Sequence, residues 1–223
     1  MNDTEQLYFD MPIKNSFGIE DFRISNSNKL AFDLVISLIR KEIFTGIIFG
    51  PPFSGKSHLC KILTEQIKNK KVITIEKINE DILETIDSCD FLIIENINNI
   101  LEIYEENHLF HAINFINQNE KQLLLTSQNS LPDINLNLED LKSRLESMIG
   151  ANISEPDDQL MESIVIKIFN DRQLLITPLL LNYLMKRLDR SYKEINNFIE
   201  IIDKTSLKKG KKISIKLIKD ILN

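Results

Sequence analysis

Residues 50–57 have the sequence Gly-Pro-Pro-Phe-Ser-Gly-Lys-Ser, which fits the pattern G-x-x-x-x-G-K-[ST] at every fixed position. A short apolar run, residues 46–49, comes directly before the pattern, and apolar residues recur at helical spacing after it, from Leu59 to Ile67. This context constrains the fold strongly, because such a loop works where a strand ends and a helix begins. The segment therefore predicts an α/β domain that binds phosphate groups.

The residue types in this loop match the chemistry of phosphate binding. Backbone amides from Ser54 to Ser57 can converge on a phosphate at the helix N-terminus, where the helix dipole favours an anion. Gly55 allows close approach of the backbone, Lys56 supplies a positive charge, and the Ser57 hydroxyl can ligate Mg²⁺. The predicted nucleotide-binding residues in the loop are Gly50, Pro52, Ser54, Gly55, Lys56 and Ser57.

Short apolar strands alternate with helical patterns along the first two thirds of the chain. Continuously apolar strands between helices are typical of a parallel sheet that is covered on both faces. The predicted strands are 46–49, 72–75, 91–94, 122–126 and 152–154, and the predicted helices are 28–42, 59–67, 79–87, 105–119 and 138–148.

The pattern changes near Pro156, after which only helical periodicity remains. Thr177 followed by Pro178 is a favourable helix start, because a hydroxyl cap precedes a proline at the first helical position. We therefore predict three parts, a tail over residues 1–14, an α/β base over 15–155 and a helical lid over 156–223. The predicted helices of the lid are 157–171, 178–188, 191–206 and 214–222.

Composition narrows the class of protein. The net charge of −6 counts against a protein whose main task is to hold duplex DNA. The lysines within residues 204–219 indicate a solvated helix end and loop, and the alternative is a basic patch. Cys60 and Cys89 are isolated and have no metal-ligand spacing, which fits a reducing compartment. The chain has no long apolar stretch and no signal-like N-terminus, so we expect a cytoplasmic protein without a membrane segment.

The two residues that directly follow the strand at 91–94, Glu95 and Asn96, bear on hydrolysis of a bound nucleotide. Glu95 stands where a P-loop protein needs an acid for Mg²⁺, so Ser57 and Glu95 are the predicted metal residues. Asn96 follows, at the position of the group that polarises the attacking water, and an amide cannot take a proton. A register shifted by one residue would make Glu95 the base and leave no metal acid. Either register predicts weak intrinsic hydrolysis, or none.

Four segments together resemble the ATPase domain of the replication initiator DnaA, an AAA+ protein. The order and spacing of these segments carry the resemblance, which extends from about Phe17 to Leu222. They are the opening segment 22–32, the phosphate loop through Leu59, the stretch 141–145, which is similar to the one that carries the initiator's arginine finger, and the lid segment 186–195, which is similar to the helix that carries the initiator's sensor-2 arginine.

The resemblance implies an AAA+ αβα sandwich with a five-stranded parallel sheet and a small all-α lid. The nucleotide, ADP or ATP with Mg²⁺, is expected at the carboxyl ends of the strands. Phe22 and Ile24 would lie near the adenine, and His58 follows the phosphate loop as in the initiator.

The resemblance also assigns basic residues to the site. Arg144 would be an arginine finger that acts in trans, and the alternative is a surface arginine in a helix salt bridge. Lys193 occupies the sensor-2 position, and Arg190, one helical turn earlier, could take its place. The sensor-1 segment, residues 126–128, lacks the acidic residue of the initiator. We therefore expect a nucleotide with a structural role.

The N-terminal tail resembles a peptide that binds the DNA polymerase sliding clamp. Gln6, Leu7, Phe9 and Met11 would be the anchors of an extended segment, although Leu7 and Phe9 could instead pack on the core. The chain ends at Asn223, where the lid should end, and we expect no helix-turn-helix domain beyond it. A clamp peptide joined to a DnaA-like module is the layout of the Hda family, the DnaA-related AAA+ regulators that inactivate the initiator, here resembling its alphaproteobacterial form.

The resulting hypothesis is a regulator of replication initiation. Bound to the β subunit sliding clamp, it would promote hydrolysis of ATP on DnaA, with weak or indirect contact to DNA and possible homo-oligomers. The alternative is a helicase-loading or DNA-remodelling ATPase of the DnaC type, which Asn96 and the acidic composition disfavour. A nucleotide-gated interaction module without a clamp role is the third possibility.

Overall fold

A computed structural model describes residues 18–99, 103–210 and 212–222. These residues fall into two compact units, a base that ends at Glu155 and a lid that begins at Pro156. The predicted clamp peptide, residues 6–11, lies outside the described residues. Within the described part of the chain, no helix combines the length and the apolar character that crossing a bilayer requires.

The base is built on one sheet. Every pair of neighbouring strands is parallel, and the order across the sheet is β2-β3-β4-β1-β5. This arrangement confirms the predicted five-stranded parallel sheet. The strands are β1 (Thr45–Phe49), β2 (Val72–Ile75), β3 (Phe91–Ile94), β4 (Gln122–Ser127) and β5 (Ile149–Asn152).

Five helices accompany the sheet. Strands β3 and β4 are buried at every position, which explains why both read as continuous apolar runs in the sequence. The largest core cluster joins strand residues such as Leu92 and Leu123 to Ile113 and Leu141 from the helices. The helices are α1 (Lys29–Ile39), α2 (Lys56–Gln66), α3 (Ile82–Asp87), α4 (Ile103–Gln118) and α5 (Glu139–Glu146).

The last strand lies three residues earlier than the sequence indicated. The prediction of a strand at 152–154 was wrong in its bounds, because β5 begins at Ile149 and pairs with β1 from Gly46 to Phe49. Only Ala151 is buried in this edge strand, so the segment has no apolar run to reveal it. The Ile153 amide still donates to the Phe49 carbonyl at 2.8 Å, just beyond the end of the strand.

The lid is a bundle with its own apolar core. The predicted cap at Thr177 is confirmed, since its hydroxyl accepts from the Leu180 amide at 3.3 Å, and Asp157 caps the preceding helix by accepting from the Leu160 amide at 2.8 Å. Phe169 is fully buried at the centre of the core. The helices are α6 (Asp158–Asp171), α7 (Pro178–Met185), α8 (Tyr192–Lys209) and α9 (Ile215–Leu222).

Candidate nucleotide-binding site

The phosphate loop connects β1 to α2 at the carboxyl edge of the sheet. The Gly50 amide donates to the Ser127 carbonyl at 3.1 Å, which ties the start of the loop to the end of β4. A Cβ atom on Gly50 would lie 2.9 Å from both the Ile153 Cβ and the Ser54 Oγ, so only glycine fits there. The close packing fixes the path of the backbone around the loop.

Gly55 turns the chain into the helix. Its φ of 97° lies in the left-handed region, which favours glycine, and α2 begins at the next residue, Lys56. The first amides of a helix have no partner inside it, so they are free to donate to an anion. The loop therefore has the backbone geometry of a phosphate cradle.

Ser54 adds a polar group to this cradle. Its side chain is buried, and its Oγ atom has no hydrogen-bond partner among the described residues. Burying a hydroxyl without a partner costs about 1–3 kcal/mol. A phosphate oxygen held by the loop would satisfy this atom, which is a first indication that the residues present fit a bound nucleotide.

Lys56 reaches back over the loop. Its Nζ donates to the Gly50 carbonyl at 2.6 Å and to the Pro51 carbonyl at 2.8 Å. Burial lowers the pKa of Lys56 to about 8, although the negative charge of the Glu95 carboxylate acts in the opposite direction. A phosphate anion in the cradle would favour the protonated amine.

Ser57 and Glu95, the two residues predicted to bind Mg²⁺, are hydrogen-bonded to each other. The Ser57 Oγ donates to the Glu95 Oε2 at 2.5 Å, which joins the first turn of α2 to the end of β3. The described residues contain no cluster of three or more His, Cys, Asp or Glu that could hold an ion by itself. A hydroxyl and one carboxylate suit Mg²⁺, which keeps most of its positions for phosphate and water.

Asn96 has an unusual backbone and a partly unsatisfied side chain. Its φ is 60°, its amide donates to the Thr126 Oγ1 at 2.9 Å, and its Oδ1 is buried with no partner among the described residues. Because Asn96 follows Glu95 directly beyond β3, it lies beside the candidate metal pair. An amide there can orient a water molecule but cannot act as a general base.

Lys56, Ser57, Glu95 and Asn96 line one cavity of about 540 Å³ in the base. Three charged members of the lining, Glu76, Lys77 and Glu105, were not expected from the sequence. Glu76 and Lys77 follow directly after β2, so the rule that ligands bind beyond the carboxyl ends of parallel strands could have found them. The other lining residues include Pro52, Phe53, Lys56, Ser57, Glu95, Asn96, Thr126 and Gln128.

Phe22 and His58 form a support behind the loop. The Phe22 ring stacks on Phe32 at 5.8 Å between centroids and meets His58 edge-on at 5.2 Å. A Cβ atom on Gly55 would lie 3.2 Å from the Phe22 ring, so this aromatic side chain packs directly against the cradle. Ile24 is exposed instead. Contact of Phe22 and Ile24 with an adenine stays a prediction.

The basic residues assigned by resemblance lie on three different segments. Arg144 is exposed in the last turn of α5 and takes no ion pair with the residues that the structure describes. Arg190 donates to the Asp158 carboxylate at 2.8 Å within the lid, where both side chains are exposed. Lys193 is exposed in the first turn of α8. Their roles at a nucleotide stay predictions.

Glu106 is a residue that sequence reasoning missed. Its carboxylate is fully buried on α4 and accepts from the amide of Leu138 at 2.7 Å and from that of Asn137 at 3.0 Å. The Asn137 Nδ2 donates to the same group at 3.0 Å. These bonds fix the start of α5, the helix that carries Arg144. Nothing in the local sequence marks Glu106, because its partners lie about thirty residues away.

Comparison with known families and proteins agrees with this geometry. A sequence profile described as the Hda lid domain matches residues 162–222. The DnaA initiator of Borreliella burgdorferi is 25% identical over an alignment of 238 residues. The alignment covers 94% of this chain and 49% of the initiator. The DnaA initiator of Wolinella succinogenes is 25% identical over an alignment of 229 residues, which covers 93% of this chain and 52% of that initiator. The chain thus spans about half the length of the curated relatives it matches.

Solved structures support the same fold. Domain III of the Thermotoga maritima DnaA superposes with a TM-score of 0.82 at 18% identity, covering 95% of this chain and 98% of that one. The T. maritima RuvB Holliday junction branch migration motor superposes with a TM-score of 0.69 at 15% identity, covering 94% of this chain and 72% of that one. AMPPCP-bound DnaA from Aquifex aeolicus superposes with a TM-score of 0.68 at 20% identity, covering 83% of this chain and 64% of that one. The solved structures show the fold, and the lid profile and the initiator relatives support a chain that is related to Hda and DnaA.

Proposed function

We propose that this protein is an adenine-nucleotide-binding regulator of replication initiation which, bound to the sliding clamp, promotes hydrolysis of ATP on DnaA. One observation carries the proposal. The phosphate loop is intact and tightly built, yet Asn96 stands in the cavity where hydrolysis needs a proton acceptor. Such a site favours holding a nucleotide over turning it over, so hydrolysis would take place on a partner.

The nucleotide is proposed to be ADP or ATP with Mg²⁺. Gly50, Ser54, Gly55 and Lys56 would hold the phosphates, because the two glycines permit the path of the loop and the other two residues offer polar groups. Mg²⁺ would neutralise phosphate charge beside Ser57 and Glu95. The AMPPCP complex of the Aquifex aeolicus DnaA supports this assignment by analogy of fold.

Arg144 is proposed to act on the nucleotide of a neighbouring DnaA molecule. The side chain is exposed and takes no ion pair within the described residues, so its guanidinium is available to a partner. The carboxylate of Glu106 holds the start of the helix that presents it. An arginine supplied in this way stabilises the charge that develops on a transferred phosphoryl group.

Recruitment to the clamp is proposed for the N-terminal tail. Gln6, Leu7, Phe9 and Met11 have the composition of an extended peptide in which alternate apolar side chains enter pockets. DnaA is proposed as the partner because the lid profile belongs to Hda and the curated relatives are initiators. We expect the clamp to concentrate the regulator where initiators meet DNA.

A hydrolysis assay tests the proposal. DnaA is loaded with labelled ATP and mixed with DNA-loaded clamp, with or without this protein, and the ATP remaining on DnaA is measured over time. We expect rapid conversion to ADP only when clamp and regulator are both present, and no gain with the Leu7→Ala/Phe9→Ala variant.

Two results would count against the assignment. Equal conversion without the clamp would remove the role of the tail. Strong DNA-stimulated ATP turnover by the isolated protein would favour the helicase-loading alternative, because a loader uses its own hydrolysis.

A further inference from the structure

Positive charge is segregated at the C-terminal end of the lid. Residues 204–222 contain seven lysines and one acid, Asp220, which gives a charge of +6 in a chain whose net charge is −6. The rest of the chain therefore carries −12. A composition that is merely rich in lysine would scatter these charges, whereas here they fall within one short segment of the sequence.

Five of these lysines form what we call the basic patch. All five are exposed, and none takes an ion pair with the described residues. By contrast, Lys204 pairs with Glu200 at 2.5 Å. The patch consists of Lys208, Lys209, Lys212, Lys216 and Lys219.

The fold directs the patch to solvent. Lys216 and Lys219 are three residues apart, so they share one side of α9. Leu217 and Ile218 lie on the other side of the helix and are buried in the lid. Lys212 lies in the irregular segment before α9 and is also exposed.

Helix stability explains only part of this arrangement. Lysines in the last turns of α8 and α9, Lys208, Lys209 and Lys219, are favourable because the helix dipole is negative there. Lys216 is in the first turn of α9, where the same dipole disfavours a cation. Clustered like charges also repel one another. The cluster thus carries a cost in stability that binding to a polyanion would offset.

We propose that the basic patch binds the phosphate backbone of duplex DNA without reading its sequence. Duplex DNA carries one negative charge per ~1.7 Å of helix axis, which suits several separate, exposed point charges. The patch contains no arginine, the residue preferred for bidentate contact with carboxylates and bases. Lysine contacts to phosphate position a protein on DNA but carry no sequence information.

This inference deepens the proposed function, because a regulator held at a clamp on DNA would gain a second, weak contact with the same duplex. The acidic remainder of the protein would keep other faces away from DNA. DNA binding by the isolated chain needs neither clamp nor DnaA, so its failure is separable from failure of the regulator proposal.

The test is a fluorescence anisotropy titration of a short labelled duplex at several salt concentrations. Wild type is compared with Lys212→Gln/Lys216→Gln/Lys219→Gln and with a control, Lys29→Gln/Lys61→Gln/Lys68→Gln, which removes the same charge from exposed positions in the base. Five phosphate contacts predict a slope of log K against log salt of about −4.5, and loss of three predicts about −2.

We expect the patch variant to bind the duplex at least about tenfold more weakly at low salt, while the control stays close to wild type. The inference is overturned if wild type does not bind duplex at the lowest salt, or if the control loses as much affinity as the patch variant. Binding to vesicles rich in anionic lipid but not to the duplex would likewise overturn it.

Discussion

The chemistry of the base depends on which side chain follows Glu95. The Asn96 Oδ1 is buried without a described partner and borders the same cavity as Lys56 and Ser57. An amide at this position can orient a water molecule but has no basic atom. The low intrinsic activity that we propose therefore rests on a single amide in place of a carboxylate.

The substitution Asn96→Glu tests this point. Supplying a general base contributes about 10²–10⁴-fold to a rate, so we expect phosphate release by the isolated protein to rise by at least about tenfold. Asn96→Gln is the matched control, because it lengthens the side chain without adding a base. If both variants stay at the wild-type rate, Asn96 is not what limits hydrolysis.

Lys56 predicts a pH dependence of nucleotide binding. Its folded pKa of about 8 lies below the ordinary 10.5, so the cost of its buried charge is fully present below pH 8 and is relieved as pH rises toward 10.5. A bound phosphate needs the charged form, so affinity should fall above about pH 8, with uptake of about half a proton on binding at that pH.

Calorimetry in buffers of different ionisation enthalpy measures this uptake. Ser57→Ala keeps Lys56 and should show the same pH dependence at lower affinity. Binding that is independent of pH from 7 to 9.5 would show that Lys56 does not change its proton affinity at the phosphates.

At the scale of elements, the buried carboxylate of Glu106 joins α4 to α5. It accepts two backbone amides and one side-chain amide at the start of α5, and hydrogen bonds to charged groups contribute about 1.5–3 kcal/mol each. The position of Arg144 is therefore set by a residue on a different helix, 38 positions earlier in the chain.

Glu106→Gln should weaken this junction. We expect a loss of about 2 kcal/mol in the free energy of unfolding, measured by urea denaturation, because an amide places an N–H against other N–H donors. Stimulation of hydrolysis on DnaA at saturating regulator should fall as well. Glu84→Gln, at an exposed position on α3, is the control and should change neither. Unchanged stability in Glu106→Gln would contradict the bonding described here.

Elements differed in how well the sequence predicted them. Strands β3 and β4 were predictable because both of their faces are buried, which forces a continuous apolar run. The edge strand β5 buries only Ala151, so its position followed from pairing with β1 and not from its own residues. The phosphate loop was predictable from local sequence, whereas Glu106 depends on a contact between distant segments that periodicity does not encode.

At the scale of the whole molecule, the base contains the candidate phosphate site and the lid contains the basic patch. Each unit has its own apolar core. Residues 204–222 are positively charged and the rest of the chain is negatively charged, and the net charge of −6 hides this difference. Charge averaged over the chain was therefore a poor guide to where a polyanion could bind.

Bound nucleotide should stabilise the whole protein. At a concentration 100 times its dissociation constant, a ligand adds about 2.7 kcal/mol, which corresponds to about 5–10 °C in Tm for a protein of this size. Scanning calorimetry with ADP and Mg²⁺ should show this shift for wild type and little for Lys56→Ala. Equal shifts in both proteins would mean that the nucleotide binds elsewhere.

The most direct test of the account is hydrolysis of DnaA-bound ATP with an Arg144→Ala regulator. Loss of an arginine finger costs about 10³–10⁵ in rate, so stimulation should disappear while nucleotide and clamp binding by the variant stay at wild-type levels. Lys142→Ala, on the same helix, is the control and should retain stimulation. If Arg144→Ala stimulates DnaA as well as wild type does, the protein does not act through this arginine and the proposed mechanism is wrong.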